Sequence, residues 1–218
     1  MKLVLSAAAA VLSLASTASA GAKQSRPFYL VAVSHVNSIN NTAFFACHEG
    51  AAIEGLCVAK KIPKTKPQAA TYRLNNTNQN PNEGLLSYQL VAGNFKSTGC
   101  SSRKYHHAAN KLSVVWEQMD LSTDVGSNVA LPLFQPSDEG QQVGFDEHNM
   151  MYMKTYLNDM VTPPRGGKSR KLYRWYTCTT LYSSYKYHAL AWVLGKSPPE
   201  VCIKREYRTV IRAASERV

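Results

Sequence analysis

What this chain can fold into is restricted most by its short runs of β-branched and aromatic residues, each closed by Asn, Gly, Pro or Ser. Phe28-Tyr29-Leu30-Val31-Ala32-Val33 is the first, and residues 42–47, 55–59, 71–74, 85–92, 112–119, 128–134, 150–153, 172–180, 187–194 and 203–211 continue the pattern. Runs of this length between turn formers predict strands, and their close spacing predicts antiparallel neighbours. The expected architecture is all-β and mostly antiparallel, a single-domain β-sandwich or a barrel-like fold. Pro132 predicts an edge or a bulge in its run, because proline has no N–H to give a ladder. The best helix candidate is 150–160. The stretches 60–68, 75–84, 136–148 and 162–171 are rich in turn formers or charge and predict loops.

The first residues set the compartment. Lys2 precedes an apolar run from Leu3 to Leu14, and Ala18-Ser19-Ala20 supplies the small-x-small exit of a secretory signal peptide. The apolar run is short and alanine-rich for a membrane anchor. No later stretch predicts a membrane span, and no hydrophobic tail follows Arg217. The expected organisation is a signal peptide at 1–20 and one secreted β-rich domain at 21–218, its core at about 27–211. An oxidising compartment makes disulfides the default for Cys47, Cys57, Cys100, Cys178 and Cys202. Two pairs and a leftover can be drawn in several ways; proximity favours Cys47–Cys57 and Cys178–Cys202 and leaves Cys100 over. Asn40-Asn41-Thr42 and Asn75-Asn76-Thr77 are glycosylation sequons in polar stretches, so Asn40 and Asn75 are candidate acceptors.

The formal net charge is +11, and removal of Lys2 with the signal lowers it to +10. A basic exported protein favours acidic partners, and pI alone fixes no site. The charge concentrates in Lys60, Lys61, Lys64 and Lys66, and again in Arg165, Lys168, Arg170 and Lys171. An anionic extracellular polymer is the expected acidic partner; nucleic acid is not.

Catalytic chemistry finds little to build on. Glycoside hydrolysis needs two carboxylates flanking one bond. Glu49, Glu54, Glu117, Asp120, Asp146 and Glu147 are available, yet no spacing pairs them. There is no G-x-S-x-G elbow. His106-His107 beside Arg103, Lys104 and Tyr105 would suit phosphate chemistry, but the flanking Ser, Gly and Asn describe a surface loop. His48 and Glu49 offer two metal ligands where a site needs three or four. No catalytic residue, metal site or cofactor is therefore expected. The aromatics of the C-terminal third are a stronger lead. Alternation puts Tyr173, Trp175 and Thr177 on one strand face and Tyr176 and Cys178 on the other, which makes Trp175 and Trp192 core candidates. Tyr182-Ser183-Ser184-Tyr185 reads as an exposed turn, and Tyr with Ser suits adaptable recognition.

Several segments taken together, A-C-H-E-G-A-A-I-E-G-L-C-V, S-N-V-A-L-P-L-F, Y-R-W-Y-T-C and H-A-L-A-W-V-L-G, resemble small secreted proteins of filamentous ascomycete fungi that carry a domain of unknown function. The resemblance runs from about Phe28 to Ile211 and implies an extracellular β-rich domain with paired cysteines. It brings no catalytic residues.

The expected function is non-catalytic binding of cell-wall or other extracellular polysaccharide or anionic polymer. Tyr182, Tyr185, Lys168, Arg170 and Lys171 are the candidate contacts. The alternatives are an effector-like protein that binds a host protein and a secreted glycosidase or ribonuclease.

Overall fold

The computed structural model describes residues 23–35, 37–59, 70–77, 80–92, 113–158, 161–195, 197–202 and 210–215. Every regular element among them is a strand: β1 (Lys23–Gln24), β2 (Phe28–Val33), β3 (Phe44–Gly50), β4 (Ile53–Val58), β5 (Tyr72–Thr77), β6 (Asn80–Ala92), β7 (Ser113–Thr123), β8 (Val129–Gln135), β9 (Gln142–Phe145), β10 (Met151–Asn158), β11 (Arg165–Leu172), β12 (Trp175–Tyr182), β13 (Tyr185–Val193) and β14 (Val210–Ser215). All pairings between them are antiparallel, as the short bounded runs predict.

The ladders close a circuit. Phe28 of β2 faces Tyr72 of β5, and β5 pairs with β6, β6 with β7 and β7 with β8. β8 then pairs with β4, and β4 with β3. Ala43, just before β3, bridges back to Val31 of β2, with the Ala32 N–H donating to the Thr42 carbonyl at 2.8 Å. Closure removes most sheet edges, which an open antiparallel sheet must otherwise protect. β13 and β12 flank this ring at β8 and β4, while β9, β10 and β11 extend from β6 on the other side.

Period-two alternation fills the interior with Leu30, Phe44, Leu56, Tyr72, Leu86, Met119 and Phe134, and Trp175, Leu190 and Trp192 join the same core. Trp175 sits directly opposite Trp192, their rings edge to face at 4.8 Å, and the Trp175 indole N–H donates to the Met151 carbonyl at 3.0 Å. The core assignment of both tryptophans is correct. So are both disulfides, Cys47–Cys57 and Cys178–Cys202. Each is worth roughly 3 kcal/mol on the chain-entropy account. Cys178 faces Ala189, and Ala189 faces Cys57, so both bridges lie on the outer face of the β12–β13–β4–β3 layer.

Several expectations need correction. Residues 150–160 contain β10, not a helix; Met151, Tyr152 and Met153 are all buried there because β9 and β11 flank them. Residues 162–171 are largely β11, so Lys168, Arg170 and Lys171 stand on a strand, not in a loop. The β11 sequence has no β-branched residue, and pairing to β10 supplies the structure that propensity does not. Asn75 and Gly84 likewise belong to β5 and β6, and β9 falls inside the acidic stretch 136–148. His48 and Glu49, beyond the run at 42–47, continue β3; the turn is only Ala51-Ala52, with Ala52 at φ 53°. Pro132 is not on an edge strand. It lies where the neighbour of β8 changes, between Ala130 opposite Trp192 of β13 and Leu133 opposite Gly55 of β4. The strand paired on that side of β8 therefore changes at the residue that has no N–H to give. The signal segment, Cys100, His106-His107 and the lysines of 60–68 lie outside the described residues.

Candidate functional site

The β12–β13 hairpin borders a groove on the described surface. Thr180 faces Tyr187 and Tyr182 faces Tyr185, so these four side chains share the outer face. Beside β12, the end of β7 and the turn into β8 rise to form a groove of about 450 Å³. Such a volume lies within the range of small-ligand sites. Its lining includes the hydroxyl-bearing Ser122, Thr123, Ser127, Thr179, Thr180, Tyr182 and Ser183. Val129, Leu131, Cys178, Leu181 and Val201 also line it. Leu181 and Val201 are exposed. The only charged side chain among the described lining residues is Asp124, whose Oδ1 accepts the Gly126 N–H at 2.7 Å and sets the turn.

Next to the groove lies an aromatic platform. The rings of Tyr185 and Tyr187 run parallel within 10°, their centroids 6.2 Å apart, and His48 meets Tyr185 edge-on at 5.7 Å. The Tyr187 hydroxyl donates to the His48 carbonyl at 2.9 Å and ties β13 to β3. Two parallel phenols offer flat apolar faces with polar rims, the combination that suits the alternating faces of a sugar ring.

The structure thus divides the five sequence-selected contacts between two places. Tyr182 and Tyr185 are cross-strand partners on the groove face. Lys168, Arg170 and Lys171 stand on β11, at the opposite end of the strand order. Arg170 donates to Asn158 Oδ1 at 2.7 Å, while Lys171 lies 4.7 Å from the centre of the Tyr152 ring and 4.0 Å from Glu147. The basic charge there is thus partly answered by neighbours that the sequence places elsewhere. Sequence reasoning missed Ser122, Thr123, Ser127 and Thr179. Their signal was the hydroxyl-rich segments 122–127 and 179–184, which also describe any polar turn. Asn40 Oδ1 accepts the Ser34 N–H at 3.1 Å, and Asn75 Oδ1 accepts from Gln24 at 3.0 Å, so both sequon asparagines are engaged.

The acids sort into distinct roles. Tyr72 faces Tyr88, Tyr88 faces Glu117, and two residues on Met119 faces Phe134, which faces Glu54, which faces His48. Register therefore places Glu117 and Glu54 on the barrel interior. Glu117 is fully buried and neither of its oxygens has a hydrogen-bond partner. Burial, reinforced by Glu54, pushes its carboxyl up to about 8. Glu54 is also raised by burial, with His48, 3.6 Å away, drawing it partly back. Glu49 is pushed up to about 7 by burial and by Glu54. It lies over Gly55, where a Cβ would come within 2.8 Å of its carboxylate oxygen. Asp146 behaves oppositely. Burial raises it, but the N–H groups of Met150 and His148 and the Tyr173 hydroxyl together hold it below the usual range. It is a turn-former tied to three donors.

Glu117 thus presents no carboxylate oxygen at the described surface. The cluster Cys47, Glu49 and Cys57 brings three potential metal donors together, but both cysteines are spent in a disulfide and offer no thiolate.

A ring-closed antiparallel β domain, pinned by two disulfides and bearing a hydroxyl-lined groove beside paired tyrosines, is the class of protein that the fold and surface define. The chain belongs to the family described as Domain of unknown function (DUF7907), which matches residues 25–204. No curated protein and no solved structure gives a significant match.

Proposed function

We propose that the protein is exported and binds extracellular polysaccharide without transforming it, holding a neutral glycan chain along the outer face of the β12–β13 hairpin. The observation that carries this reading is the continuity of two surfaces. Thr180 and Tyr182 line the hydroxyl-rich groove, and their cross-strand partners Tyr187 and Tyr185 form the aromatic platform. Hydroxyls that donate and accept match the hydroxyls of a sugar, and the tyrosine rings cover its apolar face. The absence of Lys and Arg from the described groove lining, with Asp124 at its rim, favours a neutral over an anionic chain. The signal pattern of residues 1–20 supports export. The two disulfides, and the lack of any described helix long and apolar enough to cross a membrane, are compatible with it.

Retention on insoluble neutral polysaccharides tests the reading. Binding should survive added salt, because no ion pair holds the ligand. Tyr182→Ala combined with Tyr185→Ala should lower affinity about thirtyfold, the usual cost of truncating an aromatic anchor. Both rings lie on the surface hairpin, so the melting temperature should stay close to that of the parent. Retention that the double variant leaves intact, or retention confined to acidic polymers, would contradict the proposal.

A further inference from the structure

The β10–β11 hairpin leaves the body of the protein. Only Met151 and Tyr152 of β10 pair with β9; from Met153 outward, β11 is the strand that β10 pairs with, and β11 has no second neighbour among the described strands. Residues 154–158 and 161–171 therefore form, among the described residues, an arm two strands wide. A two-stranded hairpin is marginal in water and gains nothing from apolar side chains left in solvent. This arm nevertheless exposes Tyr156 at 73 %, Leu157 at 44 % and Val161 at 38 %. The same end carries Arg165, Lys168 and Arg170. Arg170 donates to the Leu157 carbonyl at 3.2 Å and to Asn158, which holds its charge beside the apolar residues. At the root, Lys154 is paired with Glu83 at 2.6 Å and Lys171 lies over Tyr152, so those two cations are engaged. The segment 154–171 holds Lys154, Arg165, Lys168, Arg170 and Lys171 against a single acid, Asp159.

We infer that this arm docks on the surface of a bilayer that displays anionic lipid, with Tyr156, Leu157 and Val161 entering the interface while Arg165, Lys168 and Arg170 meet the headgroups. A soluble polyanion would need only the cations, and a glycan would need only the aromatic ring. Exposed aliphatic and aromatic side chains ringed by cations match an interface that is apolar below and negative above. This inference is independent of the groove and concerns the opposite side of the strand order.

Co-sedimentation with vesicles tests it, using phosphatidylcholine alone and phosphatidylcholine mixed with phosphatidylserine. The protein should partition onto the mixed vesicles and be released by salt. Arg165→Glu with Lys168→Glu should lower that partition at least ~tenfold, because each cation near such a surface is worth about 1 kcal/mol. Tyr156→Ser with Leu157→Ser should lower it by a similar factor and leave the melting temperature unchanged. Tyr156→Trp supplies a second readout: its emission should shift to the blue on the mixed vesicles. Equal partition onto both vesicle types, or onto neither, would overturn the inference. It would also be overturned if the charge reversal abolished heparin binding while the serine variant still sedimented with the mixed vesicles; the arm would then be a polyanion site.

Discussion

Thermal stability should fall as pH rises from about 5 to about 8, and Glu117→Gln should remove a large share of that fall. The carboxyl of Glu117 titrates near its ordinary value of 4.5 when unfolded and near 8 when folded. Between those values the folded state holds a proton that the unfolded chain has released. The native state therefore binds more protons across the window, and stability declines with rising pH. The loss is fully developed only above about pH 8. For a fully buried acid with no hydrogen-bond partner it reaches on the order of 4 kcal/mol. In a chain of this size that lowers the melting temperature by on the order of 10 °C. Glu49, raised to about 7, adds a decline of comparable order in the same direction. The Glu117→Gln change keeps the shape of the side chain and removes its titrating proton. The variant should match the parent near pH 5, exceed it near pH 8, and retain the part of the slope due to Glu49 and Glu54. Melting curves that run parallel for parent and variant across this range would show that Glu117 does not carry the effect.

Gly84→Ala should cost about 3 kcal/mol or more, well beyond an ordinary surface substitution. Gly84 sits where three strands meet, opposite Asn76 of β5 and Val143 of β9. A Cβ there would collide with the Asn75 carbonyl and come within 2.7 Å of the Asn76 Cα. Both obstacles are backbone, so no side-chain rotation relieves them. β6 would have to bow away from β5 and break the ring at one of its longest ladders. Gly166→Ala and Gly167→Ala are the controls. A Cβ at either position meets nothing within 4 Å, and both should stay within about 0.5 kcal/mol of the parent. Urea denaturation compares the three. A Gly84 variant no less stable than the two controls would mean that β5 and β6 do not approach each other as closely as described.

The parts of this fold that sequence revealed were those with a local signature. β2, β12 and β13 are β-branched or aromatic runs whose alternation also sorted Trp175 and Trp192 into the core, and the short cysteine separations marked both disulfides. β11 was hidden because R-G-G-K-S-R-K-L has the composition of a loop; it is a strand because β10 offers it a ladder. Glu117 was visible only as one acid among many, since its neighbours arrive from other strands, Tyr88 across one ladder and the charge of Glu54 two ladders away. The groove was half legible. The Tyr182–Tyr185 turn identifies one wall by itself, whereas the other wall comes from 122–131, some fifty residues away in sequence, and no periodicity announces that the two will meet.

The central claim is that the hydroxyl-lined groove and its tyrosine platform hold a neutral glycan. It is tested most directly by titrating isotope-labelled protein with soluble neutral oligosaccharides and mapping the perturbed amide resonances. Perturbations should gather at Ser122, Thr123, Thr179, Thr180, Tyr182, Tyr185 and Tyr187, saturate with ligand, and persist in high salt. Perturbations absent from those residues, or centred instead on Arg165, Lys168 and Arg170 and erased by salt, would contradict the claim.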